Sequence, residues 1–152
     1  MNLFFLSILL IVSGGISALV LWRQFTVMKA IGVLGISAGC FLGLIDALSK
    51  LFNPGQYSFS ISYLNALSLS FKIDNLAAFF LVAIFAVSLL AAIYSFHYME
   101  KPEKGLRTSV NYLFFSLLIV SMALVVTAEN MIAFMFSWEI MSLSSFFLVI
   151  YD

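Results

Sequence analysis

The chain has 152 residues, no net formal charge at pH 7, and a hydrophobic fraction of 64% against 9% for charged residues. An ordinary soluble domain is roughly 45–50% apolar, and a chain this short could not hide so much apolar surface inside one core in water. With neither charge in excess, the sequence offers no basic face for nucleic acid and no acidic tail for a basic partner. Composition therefore predicts an integral membrane protein whose apolar surface is covered by the lipid bilayer.

Five apolar segments follow one another along the chain, each close to the roughly 20 residues that a helix needs to cross a bilayer. They cover residues 3–22, 30–48, 76–96, 112–128 and 131–151. The segments are continuous and contain no proline, which favours helices over the short alternating strands of a membrane barrel. No Lys or Arg precedes the first segment and no small-residue cleavage site follows it, so it is predicted to be a span rather than a signal peptide. We predict one membrane domain over residues 1–152, an all-α bundle of about five transmembrane helices.

A different periodicity separates the second and third spans. Residues 57–63 (Tyr-Ser-Phe-Ser-Ile-Ser-Tyr) and 67–73 (Leu-Ser-Leu-Ser-Phe-Lys-Ile) alternate strictly, which is the pattern of a β-strand. Residues 64–66 (Leu-Asn-Ala) can form the turn, because Asn tolerates left-handed backbone angles. This predicts a small β-hairpin over residues 57–73. An isolated hairpin is marginal in water, so we expect it to pack against the bundle or a neighbouring subunit.

The basic residues of the loops predict the orientation. Five lie on one side of the predicted spans and two on the other: Arg23, Lys29, Lys101, Lys104 and Arg107 against Lys50 and Lys72. The positive-inside rule then places the N-terminus and the hairpin on the outer side of the membrane. We expect this membrane to be the inner (cytoplasmic) membrane of a cell. Residues 103–111 are predicted to be a cytoplasmic connector. The aromatic rings of Trp22, Tyr94, Tyr98 and Tyr112 are expected near the membrane interfaces.

Asp46 is the first of two acidic residues placed inside a predicted span. Lys50 follows it by four residues, a spacing that puts both side chains on one helical face where they can pair. We expect an ion pair near the outer headgroups, with a part in an ion path as the alternative. Asp74, just before the third span, is expected to cap that helix.

Glu139 is the second, and it lies about nine residues into the fifth span. At 1.5 Å per residue this is roughly 14 Å, close to the midplane of a 30 Å hydrocarbon core. No Lys, Arg or His lies within four positions of it. Desolvation disfavours the charged form of a carboxyl group, so such a residue can take up and release a proton. Ser142 follows one turn later, and Ser144 and Ser145 offer small surfaces for helix contact, which predicts a packed interior site. The alternative is a neutral, hydrogen-bonded Glu139 that fastens helices together.

Signatures of soluble catalysis are missing from the sequence. There is no Gly-rich phosphate loop, the single cysteine, Cys40, is expected to be a small buried hydrophobe, and the single histidine, His97, is expected at the surface. We therefore predict no cofactor, metal or catalytic residue in this chain, and expect the driving chemistry to occur in another chain.

The sequence of the fifth span resembles a known family. Residues 129–146, with Ser-Trp-Glu-Ile-Met-Ser-Leu-Ser-Ser at 137–145, look like the fifth helix of the antiporter-like membrane subunits. These subunits are shared by respiratory complex I, the Mrp-type Na⁺/H⁺ antiporters and the membrane-bound hydrogenases. Residues 71–80 and 94–99 are similar to the third helix of that family. The motif at 137–145 looks closest to component B of hydrogenase 4 and to the membrane subunit of formate hydrogenlyase.

The resemblance implies a role for Glu139, which matches the mid-membrane glutamate that transfers protons in that family. Ser142 and Asp46 are weaker candidates for the same path. The family glutamate is paired with a lysine two helices later, so we expect other membrane subunits, or a longer form of this one, to supply lysine-bearing helices. The implied function is a proton-translocating subunit, or its N-terminal part, in a hydrogenase-type redox complex. A non-transporting assembly scaffold and a complex I or Mrp-type antiporter component are the alternatives.

Overall fold

The computed structural model describes residues 2–53, 57–63, 67–98 and 105–151 as five long helices and a two-stranded hairpin. In chain order these elements are α1 (Asn2–Val20), α2 (Phe25–Phe52), β1 (Tyr57–Tyr63), β2 (Leu67–Ile73), α3 (Asn75–Tyr98), α4 (Gly105–Thr127) and α5 (Met131–Tyr151). All five helices are long and apolar enough to cross a membrane. The predicted class, an α-helical transmembrane bundle, is confirmed.

The bundle is built around α1, α2 and α4. Helix α1 packs on α2 and α4, α2 also packs on α3, and α5 packs on α4. Where α1 crosses α2 the backbones almost touch, because a Cβ atom added to Gly35 would lie 2.8 Å from the Cα of Gly14. Small residues allow this close approach. The van der Waals packing that results stabilises the helix pair, because lipid provides no hydrophobic driving force between helices.

The hairpin has the strands that the sequence predicted. Strands β1 and β2 are antiparallel, with Tyr57 opposite Ile73 and Tyr63 opposite Leu67; the predicted turn at 64–66 lies outside the described residues. Strand β2 lies against the connection between α4 and α5, where the N–H of Glu129 donates to the carbonyl of Ser70 at 2.9 Å. The hairpin is therefore seated on its own chain, at the end of the bundle where α5 begins.

Side-chain caps mark the starts of two helices. The carboxylate of Asp74 accepts the N–H of Ala77 at 2.7 Å at the start of α3, as predicted. At the start of α5 the carbonyl oxygen of the Asn130 side chain accepts the N–H of Ala133 at 2.9 Å. Each cap satisfies a backbone donor that the first helical turn leaves open.

Helix α4 differs most from the prediction. It begins at Gly105, seven residues before the predicted start, so most of the supposed connector at 103–111 is helical. The polar side chains of Thr108, Ser109 and Asn111 made this segment resemble a loop, yet all three are buried. Tyr112 is 2% exposed, so its ring packs against neighbouring helices rather than facing lipid. One side of the first two turns of α4 therefore packs inside the bundle, while Leu106 and Arg107 stay exposed.

Candidate functional site

Glu139 lies near the middle of α5. It is the ninth residue of this 21-residue helix, about 12 Å from the start of an element about 31 Å long at 1.5 Å per residue. In a membrane-spanning α5 the carboxylate therefore lies within the hydrocarbon region, too far from either headgroup layer for its side chain to reach.

The packing face of α5 consists of small residues. Ala133, Ser137 and Ser144 are at most 2% exposed, and their spacing of four and seven residues places them on one side, against α4. Glu139 follows Ser137 by two residues, about 200° around the helix, and it is exposed. The expectation that this chain itself buries Glu139 is therefore wrong, because the residues that seat α5 lie on the opposite side.

We define the Glu139 face as the side of α5 that carries this carboxylate. Its other members are exposed as well: Ile132, Met135, Ser142 and Phe146. Within the described part of the chain, no cation or hydrogen-bond donor is paired with the Glu139 carboxylate. Ser142 lies one turn away on the same face, as predicted, so a carboxyl and a hydroxyl share an otherwise apolar surface.

Asp46 belongs to a separate site on α2. Its carboxylate pairs with the ammonium of Lys50 at 2.5 Å, and the two residues are 4% and 5% exposed. The Lys50 ammonium also lies 5.6 Å from the ring centroid of Phe4 in α1. The predicted pair thus forms, but between packed helices rather than at an open surface. The structure does not unite Asp46 with Glu139, since α2 packs mainly between α1 and α3 while α5 packs on α4 and β2.

Asn111 is a buried polar residue that sequence reasoning assigned to a loop. The oxygen of its side-chain amide has no hydrogen-bond partner among the described residues. The buried serines of α4 differ, because their hydroxyls donate to carbonyls of the preceding turn. Ser109 donates to Leu106 at 2.8 Å, and Ser116 donates to Leu113 at 2.7 Å. One sequence signal could have identified Asn111 as a helical residue: its segment continues directly, without a break, into an apolar helix.

Groups that could bind a metal ion or take part in redox chemistry are the remaining candidates for a functional site. Within the described ranges, no three residues among His, Cys, Asp and Glu are grouped so that they could hold a metal ion. Cys40 is fully buried and forms no disulfide, in agreement with its predicted packing role. The distinctive chemical group of this chain is therefore the carboxylate of α5.

Five membrane-length helices, with an acidic residue halfway along the fifth, are the features of a multi-pass membrane protein. Comparison with known proteins shows which membrane proteins this chain resembles. Residues 58–108 match the family model described as NADH-ubiquinone oxidoreductase (complex I), chain 5 N-terminus. NADH-quinone oxidoreductase subunit L of Neisseria meningitidis serogroup B is 29% identical over 114 residues, which cover 75% of this chain and 17% of that protein. The putative antiporter subunit mnhA2 of Staphylococcus saprophyticus is 33% identical over 85 residues, which cover 56% of this chain and 10% of that protein. Over these ranges the chain is similar to members of the antiporter-like membrane subunits.

A solved structure shares the same fold. A chain of the membrane-bound sulfane sulfur reductase, an archaeal respiratory membrane complex, superposes with a TM-score of 0.73 at 21% identity, covering 92% of this chain and 21% of that one. The present chain thus spans about a fifth or less of the proteins that it resembles. The matched family model ends at residue 108, before the helix that carries Glu139.

Proposed function

We propose that this chain is a proton-translocating, antiporter-like subunit, or the N-terminal part of one, in a redox-driven complex of the cytoplasmic membrane. In this proposal Glu139 is the group that accepts and releases the proton. The observation that carries it is the position of Glu139, halfway along α5 and turned away from α4, the helix on which α5 packs.

The cost of a charge in hydrocarbon supports this role. Insertion measurements give about 2.5–3.5 kcal/mol for a charged residue such as Asp at the centre of a membrane helix. Ionisable residues at that depth almost always face a bundle interior or a water-filled cavity. The Glu139 face is open in the described chain, so we propose that helices from the rest of the complex cover it. A lysine on those helices would complete an acid–base pair with Glu139, and Ser142 would supply a hydroxyl beside it.

The partner complex is a finer part of the proposal. The resemblance of residues 137–145 to hydrogenase 4 component B favours a hydrogenase-type complex. The second candidate is a complex I or Mrp-type antiporter component, which the names of the relatives favour. Co-purification of a nickel–iron hydrogenase or formate dehydrogenase subunit would support the first candidate. Transport that requires Na⁺ would support the Mrp-type alternative.

The test of proton transfer is Glu139→Gln in the assembled complex, reconstituted in sealed liposomes with a pH-sensitive dye inside. Glutamine keeps the size and hydrogen-bonding capacity of the side chain but cannot exchange the carboxyl proton. We expect the number of protons moved per electron to fall at least about tenfold while the complex stays assembled, as expected when a required general acid–base group is lost. Glu129→Gln is the matched control, because Glu129 is exposed in the α4–α5 connection outside any helix.

Wild-type proton transfer by Glu139→Gln would overturn the proposal. The scaffold alternative makes the opposite pair of predictions. It expects Glu139→Gln to be silent. It also expects Ile61→Pro, which removes a donor from the ladder between β1 and β2 because Ile61 lies opposite Leu69, to prevent assembly of the complex.

A further inference from the structure

A groove lies between α2 and α3, beside the N-terminal part of α2 and the C-terminal part of α3. Its walls are Ala30, Val33, Leu34 and Ser37 from α2 with Ile93 and Phe96 from α3. The cavity volume is about 340 Å³, more than twice the roughly 150 Å³ of an engineered apolar cavity that holds benzene. Because the walls are almost entirely aliphatic or aromatic, the space fits a hydrocarbon chain.

A cation lies at the mouth of this groove. The ammonium of Lys29 is 4.7 Å from the ring centroid of Phe96, and Phe96 is itself one wall. His97, the next residue of α3, also lines the groove, and its imidazole packs edge-on against the Phe96 ring. In the part of the chain that the structure describes, no carboxylate pairs with Lys29. The open end of an apolar space is therefore bounded by a positive charge and a nitrogen-bearing ring.

The direction of the groove matches a lipid in one leaflet. Lys29 is near the start of α2 and His97 near the end of α3, whereas Ser37 lies eight residues further along α2, about 12 Å deeper in the spanning part. The shallow end lies on the side where the loops carry most of the basic residues, which the positive-inside rule assigns to the cytoplasm. The cytoplasmic leaflet of cells is rich in anionic lipids, and basic pockets between membrane helices on that side bind their head groups.

We propose that this groove is a binding site for one anionic phospholipid of the cytoplasmic leaflet. The phosphate accepts hydrogen bonds from the Lys29 ammonium and the His97 ring, and one acyl chain lies between α2 and α3 against Val33 and Ile93. A zwitterionic lipid would fill the apolar part equally well, but its own positive group would weaken the attraction to Lys29. Selectivity for the anionic head group is therefore the distinguishing property of the site.

Native mass spectrometry of the purified complex containing the full chain tests this, with phosphatidylglycerol or phosphatidylcholine added in equal amounts. We expect phosphatidylglycerol to be retained in preference to phosphatidylcholine. Lys29→Gln should weaken that retention about fivefold, the effect expected for one lysine near an anionic membrane surface, and Lys29→Arg should restore it. Ser37→Phe, which places a ring inside the groove, should release both lipids.

Two matched controls separate the site from general effects. Arg23→Gln removes a basic residue from the same end of the bundle, where its guanidinium lies over Trp22 rather than at the groove. Ser13→Phe places a ring in the apolar depression of α1 that Phe5 and Ile16 also line and where no basic residue is among the lining residues. Both variants should retain the lipid as the wild type does.

Three results would overturn the proposal. The first is equal retention of the two phospholipids, and the second is unchanged retention by Lys29→Gln, a variant that removes no core contact. The third is loss of a protein subunit, instead of a lipid, from Ser37→Phe, because this would identify the occupant of the groove as polypeptide.

Discussion

Lys50→Met removes the cation from a buried ion pair and leaves the carboxylate of Asp46 among apolar side chains. The two residues are 4% and 5% exposed, so water cannot solvate the carboxylate that remains. Removing one member of a buried pair costs about 3–5 kcal/mol of folding stability, because the other charge is left uncompensated. We expect Lys50→Met to lower the free energy of unfolding by about that amount.

The reverse change should cost less. Asp46→Asn leaves Lys50 with the ring of Phe4, at 5.6 Å, and with a long stem that can carry the ammonium toward the interface. A cation over an aromatic ring retains about 0.5–2 kcal/mol. The double variant Asp46→Asn, Lys50→Met removes both charges, so its stability should be close to the wild-type value and well above that of Lys50→Met.

Equilibrium unfolding of the full chain in micelles, followed by circular dichroism, measures these differences. Lys72→Met is the control, because Lys72 is a half-buried residue of β2 outside the helices. If Lys50→Met loses no more stability than Lys72→Met, or if the two single changes simply add in the double variant, the pair is not the energetic unit described here.

Two further substitutions test the packing and capping of the helices. Gly35→Ala places a methyl group 2.8 Å from the Gly14 backbone, so overpacking should lower the free energy of unfolding by about 1–3 kcal/mol. In the same unfolding assay Ala83→Val, on an exposed part of α3, should be almost neutral. A neutral Gly35→Ala would contradict the close contact of α1 and α2. Asp74→Ala removes the acceptor for the Ala77 N–H and should lower the free energy of unfolding by about 1 kcal/mol. Asp74→Asn should retain most of this stability. Equal losses of stability from the two variants would show that the side-chain oxygen is not what stabilises the start of α3.

Periodicity and hydropathy were sufficient for the number of spans and for both strands, because these features are local. The alternation at 57–63 and 67–73 is visible in the sequence without knowledge of any contact, and the structure has strands at those residues. The start of α4 was not predictable in this way. Hydropathy treated Ser109 and Asn111 as loop residues, but neighbouring helices enclose them, and Ser109 satisfies its own hydroxyl within the helix.

The sequence located Glu139 along α5 but not the direction in which it points. The direction depends on which side of α5 meets α4, and this is decided by small residues at 133, 137 and 144. Their spacing of four and seven residues was a usable signal, because stripes of small residues mark close helix contacts in membranes. Ser144 and Ser145 are adjacent in the sequence, but they lie about 100° apart on the helix and only Ser144 is buried.

The hydrogen bond between Glu129 and Ser70 has a consequence for how sequences of this kind can diverge. It joins the strand that leads into α3 to the connection that leads into α5, and both of its atoms belong to the main chain. Side-chain exchange at either position leaves donor and acceptor in place, and among the standard residues only proline at 129 removes the donor. Except for proline at 129, side chains at these two sites can therefore change while the starts of α3 and α5 stay joined by this bond.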